Sequence, residues 1–132
     1  MMILGFDPGR DKCGLAVMGV DRQLHYHEVV PANSAIATIQ SLFEKFPINT
    51  LVMGDQTTAK SWNQKLKKHL AAVPIVLVDE RYSTLEARDR YWQMYPPQGF
   101  GRLIPQGLRQ PPRPVDDIVA ILLIERYLSE EQ

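Results

Sequence analysis

The order of hydrophobic periods along the chain limits the folds that this sequence can adopt. Three strand-like runs come first, at Ile3 to Phe6, Gly14 to Val20 and Leu24 to Val30. Beyond them, helical periods alternate with two buried-type strands, at Thr50 to Gly54 and Ile75 to Val78. This order predicts an α/β fold with a five-stranded mixed sheet, three antiparallel strands followed by two parallel ones, and helices on both faces.

Helices are predicted from apolar spacing and from signals at their ends. The first lies between Asn33-Ser34 and Pro47, and the second runs from Thr58 to Ala72. Ser83 and Glu86 predict a capping box at the start of the third, and Val115 to Leu128 predicts a buried fourth helix. Between the last two lies a proline-rich loop at about 96–114, which holds six of the ten prolines.

Composition indicates one domain that spans residues 1–132 and excludes several classes of protein. A single cysteine cannot form an intramolecular disulfide, and no Cys/His cluster has the spacing of a zinc site. The amino-terminal residues lack the features of a signal peptide, and no apolar run is long enough to cross a bilayer. We therefore expect a cytoplasmic protein that does not enter a membrane.

Acidic residues follow the strands whose carboxyl ends should share one edge of the sheet. Asp7 ends the first strand, Glu80 follows the fifth and Asp116 begins the last helix; Asp55 and Asp117 are further candidates. Converging carboxylates repel one another unless a cation joins them, and oxygen ligands suit Mg²⁺ or Mn²⁺. Such a site can hydrolyse phosphodiester bonds. Taken singly, each acid also fits a turn, a loop cap or a helix-dipole partner.

Two segments carry a resemblance to a known family. Ile3-Leu4-Gly5-Phe6-Asp7-Pro8-Gly9 is similar to the opening motif of the RuvC Holliday junction resolvases. Together with Asp79-Glu80-Arg81-Tyr82-Ser83-Thr84 and with Val115-Asp116 before an apolar helix, it resembles the YqgF/RuvX family. Members of that family are RNase H-like proteins, described as Holliday junction resolvases and as nucleases that mature the precursor of small-subunit ribosomal RNA. The resemblance implies an RNase H-like fold.

By position, the resemblance implies that Asp7, Glu80 and Asp116 are the catalytic acids and metal ligands. Asp117 stands where the family usually has a small residue and stays in reserve, and Asp55 stands in a turn that departs from the family pattern. Nucleic-acid contacts are expected from five basic residues: Lys12, Arg81, Arg102, Arg109 and Arg113. An alternative role for Arg81 is a local ion pair with Asp79.

The remaining histidines and aromatic residues fit ordinary structural roles. His25, His27 and His69 are expected on the surface, away from the acidic edge. Trp62 and Trp92 are expected to pack partly inside the fold rather than to stack on bases.

The sequence thus predicts a Mg²⁺-dependent endonuclease that acts on structured nucleic acid, either branched DNA or precursor ribosomal RNA. The alternative is a catalytically silent module that keeps the fold and binds nucleic acid or a ribosomal partner. An ATP-using enzyme of the actin-like fold is disfavoured by the length of 132 residues. Resolvases of this fold act as dimers, so a homodimer is an open expectation, although no sequence feature identifies a dimer face.

Overall fold

A computed structural model describes residues 1–56, 58–70 and 72–130. Five strands form one sheet in the order β3-β2-β1-β4-β5. Strands β1, β2 and β3 pair antiparallel, whereas β4 pairs parallel with β1, and β5 with β4. The mixed sheet predicted from the sequence is therefore confirmed, with both parallel strands on the side away from the hairpin. The strands are β1 (Met2–Asp7), β2 (Lys12–Gly19), β3 (Leu24–Pro31), β4 (Ile48–Gly54) and β5 (Ile75–Val78).

Within the described residues, four α-helices accompany the strands and cover both faces of the sheet. They are α1 (Ala35–Lys45), α2 (Ala59–His69), α3 (Ser83–Met94) and α4 (Asp116–Glu130). None of the described helices is long and apolar enough to span a membrane.

The strict alternation along β1 divides the core into two layers. Leu4 and Phe6 point to the face covered by α1 and α2, where they pack with Ile39 and Leu66. Ile3 points to the opposite face, which α4 covers. Helix α4 is buried on nearly all sides: each of its residues from Asp117 to Ile124 is at most 4% exposed. The same alternation places Asp7, four residues after Ile3, on the α4 face.

Three local predictions differ from the structure. Helix α2 ends at His69 because Leu70 leaves the helical conformation, with φ −131° and ψ 63°; Ala71, which was predicted to be helical, lies outside the described residues. No capping box forms at α3, because Ser83 is a buried first helical residue preceded by Tyr82 in a left-handed conformation. The proline-rich loop contains two 3₁₀ turns, Gly99–Leu103 and Gln106–Leu108.

Glycines let the first turn of α4 lie directly on the sheet. Gly14 of β2 pairs with Asp7, and a Cβ there would collide with the backbone carbonyl of Asp116 and lie 2.7 Å from the backbone nitrogen of Asp117. Gly5 is in the same position one turn further along, against the carbonyl of Ala120. Since backbone atoms cannot move aside singly, these glycines set the height of α4 above the sheet.

We expect Gly14→Ala to lower the free energy of unfolding by about 1–3 kcal/mol, because the new methyl group meets helix backbone. Urea denaturation measures the change. Gly107→Ala is the matched control, since a Cβ at Gly107 has nothing within 4 Å. Equal effects of the two substitutions would contradict the proposed role of Gly14.

Candidate active site

Asp7 is the last residue of β1 and stands on the face covered by α4. The antiparallel neighbour is Gly14, and Gly54 ends the neighbouring parallel strand β4. Both neighbours lack side chains, which leaves space beside the Asp7 carboxyl group. The pattern of strand alternation and flanking glycines therefore creates a half-buried acidic position at the edge of the sheet.

Glu80 reaches the same space from the turn after β5. Its side chain is 5% exposed, and its carboxyl group occupies the volume that a Cβ at Gly54 would fill. The Oδ1 atom of Asp55 accepts a 3.4 Å hydrogen bond from the backbone N–H of Glu80. The Oε1 atom of Glu80 is buried and has no hydrogen-bond partner among the described residues. An unpartnered, buried carboxylate oxygen is costly, so the site is built to accept a ligand there.

Arg126 of α4 holds the turn that carries Glu80. Its guanidinium donates to the backbone carbonyls of Asp79 and Arg81 at 2.7 and 2.9 Å, and to Glu86 at 3.0 Å. The alternative role considered for Arg81, an ion pair with Asp79, is replaced by a different contact: the backbone N–H of Arg81 donates to Asp79 at 2.9 Å. Sequence analysis missed Arg126, because only the packing of α4 beside this turn shows its role.

Asp116, the first residue of α4, completes the cluster. The carboxyl groups of Glu80 and Asp116 each come within hydrogen-bonding range of Asp7. The structure therefore brings together the three acids that the resemblance singled out, drawn from β1, the turn after β5 and the start of α4. No Lys, Arg or His forms a salt bridge with any of them in the described part of the chain.

The pKa values of these carboxyl groups are raised above their ordinary values. Burial, followed by the charges of Glu80 and Asp116, raises the pKa of Asp7 to about 8. Burial also raises the pKa of Glu80 and of Asp116, and Lys12 opposes the rise at Asp116. At neutral pH the cluster therefore retains a proton at Asp7 in the absence of another cation.

The cluster is closed by contacts between its own carboxyl groups. Among the described residues, no group of three or more His, Cys, Asp or Glu side chains surrounds a point that could hold a metal ion. The chemistry of the donors nevertheless fits a hard divalent cation: the ligand atoms are carboxylate oxygens, one of them buried without a partner. A cation would replace the retained proton.

Asp117, the next residue along the chain, binds two basic side chains. Its carboxylate accepts hydrogen bonds from Nδ1 of His27 at 2.7 Å and from Nη1 of Arg113 at 3.0 Å. These contacts occupy the carboxylate that was held in reserve as a metal ligand. The expectation that His27 is an ordinary surface residue is wrong, because His27 is bound to Asp117 at the start of α4. This contact could not be foreseen, since a single sequence does not show that β3 passes beside α4.

The basic candidates separate into exposed and engaged side chains. Lys12, Arg81 and Arg102 are exposed. In contrast, Nε of Arg109 donates to the backbone carbonyls of Gly101 and Ile104 at 3.0 and 2.8 Å. Arg113 bonds Asp117 and lies over the rings of Tyr91 and Tyr95, 5.4 and 5.7 Å from their centroids. Arg113 thus holds the end of the loop of residues 96–114 to the rest of the fold, whereas the hydrogen bonds of Arg109 close within the loop and its guanidinium lies 5.8 Å from the centroid of the Trp92 ring.

Asp7→Asn should stabilise the protein in the absence of divalent cations, and more so at high pH. A raised pKa in the folded state means that the stabilising proton is present at low pH and is lost as the pH rises from about 4 to about 8. At pH 8 we expect the free energy of unfolding to rise by more than about 1.4 kcal/mol, the equivalent of one pKa unit.

Denaturant unfolding in EDTA at pH 4 and pH 8 measures this difference. Asp21→Asn, an exposed substitution in the turn between β2 and β3, is the control and should leave the pH dependence unchanged. If Asp7→Asn raises the free energy of unfolding equally at both pH values, ionisation of the Asp7 carboxyl group does not destabilise the fold as we expect.

Comparison with known sequences assigns the family. The family model described as "RuvX: Holliday junction resolvase" matches residues 1–130. Proteins named "Putative pre-16S rRNA nuclease" from Coxiella burnetii and Xylella fastidiosa are each 27% identical to this chain. The alignments cover 100% and 98% of this chain, and 95% and 88% of those relatives.

Solved structures show the same fold. Thermus thermophilus RuvC in complex with a Holliday junction substrate superposes with a TM-score of 0.60 and 22% identity, over 99% of this chain and 96% of that one. A second structure of Thermus thermophilus RuvC gives a TM-score of 0.58 at 19% identity, with the same coverage. The RNase H-like fold expected from the resemblance is thus confirmed, and the chain belongs to the RuvX (YqgF) family.

Proposed function

We propose that this protein is a divalent-metal-dependent endonuclease that hydrolyses phosphodiester bonds in the precursor of 16S ribosomal RNA. The observation that carries the proposal is the convergence of half-buried Asp7 and Asp116 with buried Glu80, none of which forms a salt bridge with a basic residue in the described part of the chain. The membership of the RuvX family and the names of relatives that match over nearly the full chain support a nuclease.

The proposed cofactor is Mg²⁺ or Mn²⁺, held by Asp7, Glu80 and Asp116. When bound, such an ion supplies positive charge that activates water and stabilises the oxygens of the phosphate. The protein contributes carboxylate oxygens from partly buried Asp7 and Asp116 and from buried Glu80, whose Oε1 atom has no competing partner among the described residues. Asp55 supports the backbone of Glu80 through its Oδ1 atom, so we assign it a supporting role.

The remaining residues of the site position the acids and the substrate. Arg126 fixes the backbone on both sides of Glu80, so that its carboxyl group stays against Gly54. Lys12 lies close enough to Asp116 to lower its pKa against the effect of burial, and can therefore hold a phosphate beside the cluster. Arg81, exposed next to Glu80, can contact the same strand.

The purified protein should cut precursor 16S ribosomal RNA in Mg²⁺, and EDTA should abolish the activity. Asp7→Asn should reduce the rate by at least about a hundredfold, because the variant loses a charged ligand without a change of shape. Asp21→Asn is the matched control and should cleave like the wild type. Gel analysis of end-labelled RNA measures both rates.

The same assay with a four-way DNA junction separates the two substrates named for the family and its relatives. Faster cleavage of the junction than of the RNA would replace the proposed substrate but retain the nuclease. Binding of RNA that is indifferent to EDTA and to Asp7→Asn, without any cleavage, would establish the catalytically silent module instead.

Arg102 is proposed as a phosphate contact on the loop of residues 96–114. It is exposed and belongs to a stretch from Arg90 to Arg113 that contains no acidic residue. Arg102→Gln should weaken RNA binding and make the plot of log affinity against log salt concentration shallower by about 0.7–0.9. Arg22→Gln, at the far end of the sheet, is the control. An unchanged slope for Arg102→Gln would remove this residue from the interface.

A further inference from the structure

An open cavity of about 600 Å³ lies beside the acidic cluster, on the α4 face of the edge strand β3. Its surface is mainly apolar, and its volume is within the range of small-ligand sites. His27 and Val29 of β3 line one side, since they pair with Ala16 and Gly14 under α4. Other lining residues include Lys12, Pro31, Pro114 and Asp117, together with the exposed acids Asp11 and Glu28.

One polar group in the cavity is held in a fixed orientation. The side chain of Asp117 is only 3% exposed and bonds Nδ1 of His27 at 2.7 Å. The same carboxylate also accepts from Arg113 and from the backbone N–H of Ile118. Because a carboxylate only accepts hydrogen bonds, Nδ1 of His27 is the donor in this pair. In a neutral imidazole that donates from Nδ1, Nε2 on the opposite edge of the ring is the acceptor. His27 is 22% exposed and reaches the cavity.

The cavity and the acidic cluster are joined through neighbouring residues. Asp117, which lines the cavity, directly follows Asp116 of the cluster. Lys12 also lines the cavity, and its charge acts on Asp116. In a nucleotide, one sugar separates the phosphate from the base. A strand whose phosphate lies at the cluster can therefore place an adjacent base over the cavity.

We infer that this cavity binds one unstacked nucleobase next to the phosphate that is cut. Val29, Pro31 and Pro114 contact the faces of the ring, His27 Nε2 accepts a hydrogen bond from an N–H of the base, and Lys12 binds the phosphate. The inference rests on the proposed nuclease function and adds a feature of its substrate: an unpaired nucleotide at the cleavage site. Each nucleobase has an N–H that can bond His27, so the contact selects unpaired bases rather than one sequence.

Metal-free titration tests this inference independently of cleavage. Adenosine 5′-monophosphate and ribose 5-phosphate carry the same phosphate but differ in the base. We expect the nucleotide to bind at least about fivefold more tightly and to shift the ring resonances of His27 in NMR spectra. Equal affinities, or no binding of either compound, would overturn the inference.

Val29→Glu places a hydrated carboxylate in the cavity and should abolish the preference for the nucleotide. Val20→Glu introduces the same charge at a position on the hairpin that is 53% exposed, and should keep the preference. If Val29→Glu fails to fold, Val29→Gln serves in the same comparison. An undiminished preference in a folded Val29 variant would place the base elsewhere.

Cleavage of RNA in Mg²⁺ is measured separately with the same proteins. A wild type that prefers the nucleotide but cuts no nucleic acid retains the base site and refutes the nuclease. A wild type that cuts RNA but treats the two phosphates alike retains the nuclease and refutes the base site. In that second case, a cavity that binds a side chain of a partner protein would account for the lack of preference.

Discussion

The electrostatic cost of placing three acidic side chains together is the constraint on which the site depends. Asp7 interacts with both Glu80 and Asp116 in a partly buried position, and none of the three forms a salt bridge with a basic residue of the described chain. Burial of the two apolar layers on either side of the sheet must offset this unfavourable electrostatic free energy. A retained proton reduces the repulsion, and a divalent cation can take its place.

Missing side chains shape the site as much as the acids do. Gly5 and Gly14 allow α4 to approach the sheet, so that Asp116 reaches the end of β1. The carboxyl group of Glu80 occupies the space that a side chain at position 54 would fill. In each case a larger residue would separate two elements that carry acids. The glycines explain why elements distant in sequence converge at hydrogen-bonding range.

The strand order and the meeting of Asp7, Glu80 and Asp116 could be predicted because both follow from hydrophobic periods and from the geometry of parallel strands. The contact of His27 with Asp117 could not, since it depends on the lateral position of the edge strand beside α4. The same applies to Arg109, whose hydrogen bonds end within its own loop. Local patterns specify elements, but the partners of long polar side chains are decided by packing.

Arg113 fixes the carboxyl-terminal end of the loop between α3 and α4 against two aromatic rings and a buried acid. Changes of length or composition further out in the loop are therefore mechanically isolated from Asp116, three residues beyond this anchor. The outer loop can therefore change while Asp7, Glu80 and Asp116 keep their positions. Under the proposed function, contacts of the outer loop with substrate would be separable from the acids that hold the metal, and grafting the outer loop between relatives would alter selectivity without moving those acids.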